Sequence, residues 1–208
     1  MLSTTYHVKL TFTEPLLGTV PKDEKVYTNY LADRAAKRIE DGDTISADTA
    51  LELIEEETAT VPNDEQRGWT GFHTDADGAF LYDYQVKGFL KEAANLSKDF
   101  PEIKITALRS KVDNYCYVFP RRIRLSAVDP EPLERPLRAM TMQGPRVSLV
   151  RSDTVSAGVS IEFDIKMLAH KDLNAKLLGF LLDFGEFKGL GQWRNGGFGR
   201  FTYSITEA

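Results

Sequence analysis

Three cations stand among glycines near the C-terminus, in residues 185–203, GEFKGLGQWRNGGFGRFTY. Lys188, Arg194 and Arg200 share this stretch with six of the chain's 15 glycines, Gly185, Gly189, Gly191, Gly196, Gly197 and Gly199, and with the aromatic residues Trp193 and Phe198. Glycine permits positive φ and lets the backbone approach a partner with no Cβ in the way. Exposed amides, cations and an aromatic face are suited to gripping a phosphate backbone and stacking a base. The same glycines would also serve a loop that only has to pack tightly on its own sheet.

Three histidines could supply general acid or base chemistry. His7 falls on the polar side of an alternating segment and reads as a solvent-facing strand residue. His170 precedes an apolar helix and reads as a cap-region residue. His73, Asp75 and Asp77 crowd one loop, where two or three ligands could converge, but their spacing matches no metal motif. Asp77-Gly78 marks that loop as a polar turn. No metal and no cofactor is expected.

The elements that would position these groups follow from periodicity. Residues 5–13, TYHVKLTFT, alternate as a half-buried strand that ends at Glu14-Pro15. An amphipathic helix is expected over 23–40, with Val26, Tyr30 or Leu31, Arg34 and Ile39 around it. A second follows Ser46 and ends in Glu55, Glu56 and Glu57. AFLYDY reads as extended and residues 86–98 as a helix. Lys87 and Gly88 then stand near a helix start, which favours an anion. Residues 103–109, IKITALR, alternate as a strand, and 114–127 read as a longer β segment. Arg135, Arg138, Arg146 and Arg151 follow. Residues 157–168 form a strand, 171–183 a strongly apolar helix and 198–206 a closing strand. The order β-α-β-β-α-β predicts an α+β chain with a ferredoxin-like core. The chain reads as a single domain over 1–208, with a helical insertion at 14–68 and a β-rich insertion at 110–156.

The 208 residues are 42% hydrophobic, enough for a substantial core. No run of about 18 apolar residues is present, so no membrane span is expected. The N-terminus lacks the basic start and apolar core of a secretory signal, and cytoplasmic residence is the default expectation. The lone Cys116 excludes an internal disulfide and any multi-cysteine metal site. The net charge of −5 hides an uneven distribution. Residues 23–64 hold 12 acids against 4 bases, and residues 109–151 hold 9 bases against 4 acids. A basic face can therefore coexist with the negative total. The arginines could bind phosphate or pair with the acidic helices.

The glycine stretch GLGQWRNGGFGRF resembles the glycine-rich loop of the RAMP superfamily, the repeat-associated proteins of CRISPR effector complexes. A second match is the RAMP-like pattern of a D-x-x-G turn, a short extended approach and a K-G-x-x-K/R helix start, at Asp75, Gly78, Lys87, Gly88 and Lys91. Gln85-Val86 depart from the small hydroxyl residues usual in the family before Lys-Gly. The resemblance covers about 60% of the chain and leaves the insertions unmatched.

The resemblance implies RNA binding, to single-stranded RNA or a guide RNA, beside other effector-complex subunits and with oligomerisation possible. Lys87, Gly88, Lys91, Lys188, Gly189, Gly191, Arg194, Gly197, Gly199 and Arg200 would approach phosphates, and Trp193 would stack a base. Arg135, Arg138, Arg146 and Arg151 would extend the groove. It also implies an alternative, a metal-independent endoribonuclease of the same superfamily using His7, His73 or His170, or Asp75 or Asp77, while the acidic insertion motivates another, a protein-interaction module or mimic acting on a defence complex. A small phosphorylated ligand on the same loop is a further one.

Overall fold

The computed structural model describes residues 2–23, 26–29, 31–32, 54–61, 69–100, 103–126, 130–142 and 144–208. In chain order its elements are β1 (Ser3–Phe12), β2 (Leu16–Leu17), β3 (Val20–Pro21), β4 (Trp69–Gly71), β5 (His73–Asp75), β6 (Gly78–Tyr82), α1 (Asp83–Leu96), α2 (Leu108–Tyr115), β7 (Cys116–Phe119), β8 (Arg122–Arg124), β9 (Glu131–Thr141), β10 (Gly144–Val155), β11 (Ser160–Leu168), α3 (Ala175–Asp183) and β12 (Phe201–Glu207). The chain is mixed α+β and divides into two compact units. The first is Met1–Leu17, Phe80–Val128 and Val155–Ala208, and the second is Gly18–Ala79 and Asp129–Thr154.

The first unit holds an antiparallel sheet in the order β12-β1-β11-β7. Along the chain α1 and α2 lie between β1 and β7, and α3 lies between β11 and β12. Alternation drives this layer. Val8, Leu10 and Phe12 on β1 and Ile161, Phe163 and Ile165 on β11 are buried, while their neighbours His7, Lys9 and Glu162 are exposed. The buried side meets Val86, Phe89 and Leu90 of α1 and Leu178, Leu181 and Leu182 of α3. Phe201 sits edge-on to Phe12 and Phe89, at 6.2 and 5.2 Å between ring centroids. Each fully buried ring of this kind contributes about 1.5–3 kcal/mol through apolar burial.

The open side of the sheet carries His7 and Lys9 with Tyr117 and Phe119 of the edge strand β7, and these two rings are 44% and 49% exposed. Cys116, on the buried side of β7, is 3% exposed, and burial pushes its thiol up to about 11. β6 and β8 pair through Phe80–Tyr82, and Arg122 and Arg124 lie over the Phe80 ring.

The strand expected over 103–109 is not formed. Residues 103–105 are irregular, and Ala107, at φ 53, starts α2. The alternation of IKITALR finds no ladder to join. Leu108 and Val112, four apart, bury one stripe of a helix that packs on α1 and β7. The strand between the two halves of the core is instead the short β7, inside the segment assigned to the basic insertion. The first helix also starts earlier than expected, at Asp83.

In the second unit β9 and β10 form an antiparallel hairpin, β10 runs parallel to β4, and β4 pairs with β3. Asp153 of β10 receives the Trp69 indole N–H at 2.8 Å and pairs with Lys22 at 3.0 Å, both charged side chains being nearly buried. Val20, Tyr27, Leu31 and Val61 cluster beside Ile54. Within the expected helix 23–40, residues 26–29 and 31–32 are helical, with Tyr27 and Leu31 facing inward and Val26 exposed. Residues 54–58 are also helical. The rest of both expected acidic helices, with Arg34, Ile39, Ser46, Ala50 and Leu51, lies outside the described residues. Glu57 does not belong to a solvated face: it is 2% exposed and accepts the Tyr27 hydroxyl at 3.1 Å.

Candidate nucleic-acid interface

The glycine loop is built against the end of β1. Because β1 and β12 are antiparallel neighbours in which Phe12 faces Phe201, the residues just after β1 lie beside those just before β12. Backbone bonds join the two segments: Thr13 N–H to the Arg200 carbonyl at 2.8 Å, Gly199 N–H to the Pro15 carbonyl at 2.9 Å, and Gln192 N–H to the Leu17 carbonyl at 3.3 Å. The loop also closes on itself, with Leu190 N–H donating to the Gly199 carbonyl at 2.8 Å.

Gly199, at φ +71, needs its missing side chain, since a Cβ there would stand 1.9 Å from the Leu190 oxygen. A Cβ on Gly189 would stand 2.5 Å from the Gly199 carbonyl. Gly191 abuts Leu16 and the Leu17 carbonyl, and Gly197 lies under the Arg200 guanidinium. These glycines let two backbones touch, as a tightly packed loop requires.

The cations of the loop divide. Arg194 Nη1 meets Glu92 Oε2 of α1 at 2.5 Å, and Lys188 Nζ lies 3.7 Å from Glu92 Oε1. Both therefore clamp the loop to α1 through one carboxylate. Arg200 is exposed and makes no ion pair among the described residues. Trp193, at φ 56 and 41% exposed, stacks on Phe198 with centroids 5.2 Å apart and planes 15° apart. Phe187 is 72% exposed. Glu14, Pro15, Asn195, Gly196, Gly197, Phe198 and Arg200 line an open cleft of about 500 Å³.

Lys87 and Gly88 do not stand at a helix N-terminus, because α1 begins at Asp83. Its first amides are already engaged: Asp83 N–H donates to the Arg121 carbonyl at 2.9 Å and Tyr82 N–H to Gln85 Oε1 at 3.0 Å. Asp83 itself places a negative charge where an anion would sit. Lys87 Nζ instead donates to the carbonyls of Asp113, at 2.8 Å, and Cys116, and Lys91 pairs with the Asp113 carboxylate at 2.7 Å. The two lysines bind the C-terminal end of α2, where the helix dipole favours cations. Burial holds the Lys87 ammonium below the ordinary lysine range. Gly88 is exposed with open space where its Cβ would be.

In the second unit the register of the hairpin separates the arginines. Arg138 faces Val147 and Arg151 faces Glu134 on one side, whereas Arg135 faces Val150 on the other side, which also carries Arg146. Arg138 and Arg146 are exposed, Arg135 is buried, and Arg151 contacts Glu134 and the Trp69 ring. Burial lowers the Arg135 pKa.

His73 is 1% exposed, with Nε2 3.1 Å from the Tyr27 hydroxyl and Nδ1 2.8 Å from the Thr60 hydroxyl. Asp75 accepts the Asp77 amide at 3.0 Å in the turn after β5, not in the loop that follows β1. His7 is half-exposed, with Nδ1 3.0 Å from Asp164 and Nε2 3.8 Å from Glu162. His170 Nδ1 accepts the Asp172 amide at 3.1 Å and its ring rests on Tyr115.

Sequence reasoning missed Glu14, Glu92, Asn195 and Phe187. The adjacency of the first and last strands, implied by the expected core, was the signal for Glu14. Glu92 had none beyond its place one residue after Lys91.

No family model and no curated protein matches the chain. Among solved structures, a chain of the "Cryo-EM structure of the Type III-B Cmr-beta bound to cognate target RNA" is similar at a TM-score of 0.46 and 10% identity, over 99% of this chain and 61% of that one. The present chain thus spans about three fifths of the length of that chain. No helix among the described residues is long and apolar enough to cross a membrane.

Proposed function

We propose that this protein is a RAMP-like subunit with a ferredoxin-like core that binds single-stranded or guide RNA without cleaving it, within a CRISPR-type ribonucleoprotein effector. The observation that carries the reading is the surface of the glycine loop. There a partly exposed Trp193 stacks on Phe198, and Phe198 lines one cleft with Arg200, a cation with no ion pair among the described residues. An aromatic platform beside a free cation suits a strand whose bases stack and whose phosphates need neutralising. Lys188 and Arg194 serve chiefly by holding the loop, and Lys87 and Lys91 by holding α2.

Binding of a fluorescent single-stranded RNA at two salt concentrations tests the reading, with Arg200→Ala and Trp193→Ala alongside. Affinity should fall at the higher salt, and each substitution should weaken binding several-fold with the melting temperature unchanged. Absence of RNA binding at low salt would overturn it.

His7 favours a second reading, a metal-independent endoribonuclease. It is the one histidine both solvent-facing and held by a carboxylate that could orient its ring, Asp164 at 3.0 Å. Cleavage of RNA in chelator, lost in His7→Ala, would establish it.

A further inference from the structure

The cleft beside the loop has a chemistry that a phosphate grip alone does not require. Glu14 comes from the end of β1, while Asn195, Phe198 and Arg200 come from the loop, and all line the same space of about 500 Å³. That volume lies within the range of small-ligand sites and admits one nucleotide. Glu14 and Arg200 carry opposite charges, and among the described residues neither side chain makes an ion pair, their one link being the Glu14 N–H to the Arg200 carbonyl at 3.4 Å. Gly196, Gly197 and Phe198 line the same space.

We propose that this cleft is a guanine-selective subsite, with a guanine base laid on Phe198 and its Watson–Crick edge turned to Glu14. The inference deepens, and rests on, the reading that the loop binds RNA. A carboxylate offers acceptors only. Guanine alone among the four bases presents two adjacent donors on that edge, N1–H and the N2 amine. Adenine and cytosine each turn a ring-nitrogen acceptor toward the carboxylate beside their single amine. Uracil has one N–H between two carbonyls. A wrong base therefore leaves Glu14 facing a lone pair, which is how a polar site rejects an analogue. Arg200, on the loop side of the cleft, is left for the phosphate. Asn195, with both a donor and an acceptor, can serve the guanine O6.

The test is fluorescence anisotropy with three labelled decamers: all uridine, uridine with one central guanosine, and uridine with one central inosine, which lacks the N2 amine. The guanosine decamer should bind about tenfold more tightly than the uridine decamer, the scale of one bidentate base contact, with inosine between them. Glu14→Gln should remove the preference, weakening the guanosine decamer until it binds no more tightly than the uridine decamer, because an amide offers a donor as well as an acceptor. Glu14 is exposed, so the variant should fold, and its melting curve checks this. Equal binding of the three decamers would overturn the subsite and leave RNA binding standing. Binding of no decamer would overturn the RNA reading, and titration with GMP, AMP and UMP then decides the cleft. A GMP preference lost in Glu14→Gln would assign it to a free nucleotide, and no GMP binding at millimolar concentration would overturn it.

Discussion

Two glycines that look alike in the sequence play opposite parts. Gly199 is held at φ +71 with a carbonyl oxygen 1.9 Å from where a Cβ would stand. Gly88 lies in the middle of α1, exposed, with open space around it. Gly199→Ala should cost about 1–3 kcal/mol for the left-handed backbone alone, with the clash added. Gly88→Ala should stabilise by about 0.5–1 kcal/mol, because alanine is the better helix former. Urea denaturation of the two variants measures both. If Gly88→Ala weakens RNA binding while raising stability, the glycine is there for close approach of a ligand. The sequence marked both positions as parts of motifs, but only the neighbour across the loop, Leu190, tells them apart.

At the scale of the element, one residue ties the loop to α1. Glu92 holds Lys188 and Arg194 together, with side chains about a third exposed. Such a pair contributes about 0.2–1 kcal/mol in partly solvated surroundings. Glu92→Ala should therefore leave global stability nearly unchanged while speeding amide exchange across residues 188–200. Unaltered exchange would mean that the backbone bonds to Thr13, Pro15 and Leu17 suffice.

Element by element, legibility followed burial. β1, β11, α3 and β12 were readable because one face of each is buried, so the hydrophobic period shows. The alternation of IKITALR misled because alternation makes a strand only where a ladder accepts it. β7 lay inside the β segment read at 114–127, but four residues are too few to show that they, and not 103–109, pair with β11. The clamp was unreadable, since pairing between residues about a hundred positions apart depends on the folded chain.

Over the whole molecule, the basic segment proved less concentrated than its composition suggests. Of the four arginines from 135 to 151, only Arg138 and Arg146 are exposed, and they lie on opposite faces of the β9–β10 hairpin. A single strand lying along one face would meet only one of them. The slope of log K against log salt should therefore change by about 0.7, the value for one single-strand phosphate contact, in only one of Arg138→Ala and Arg146→Ala. Equal changes in both variants would mean that RNA wraps the hairpin. At this scale the mixed α+β class was legible, but the division of charge between structural pairing and exposed surface was not, because it is set by register.

The loop joins a frozen scaffold to a free rim. Gly189, Gly191 and Gly199 are each pressed against backbone atoms, whereas Glu14, Asn195 and Arg200 line the cleft with no side-chain hydrogen bond or ion pair among the described residues. For evolution this separates two kinds of change. Drift at the scaffold is removed by selection for folding before any ligand matters. The rim can exchange its side chains one at a time, so descendants of this chain could acquire different ligand preferences while keeping the same glycines.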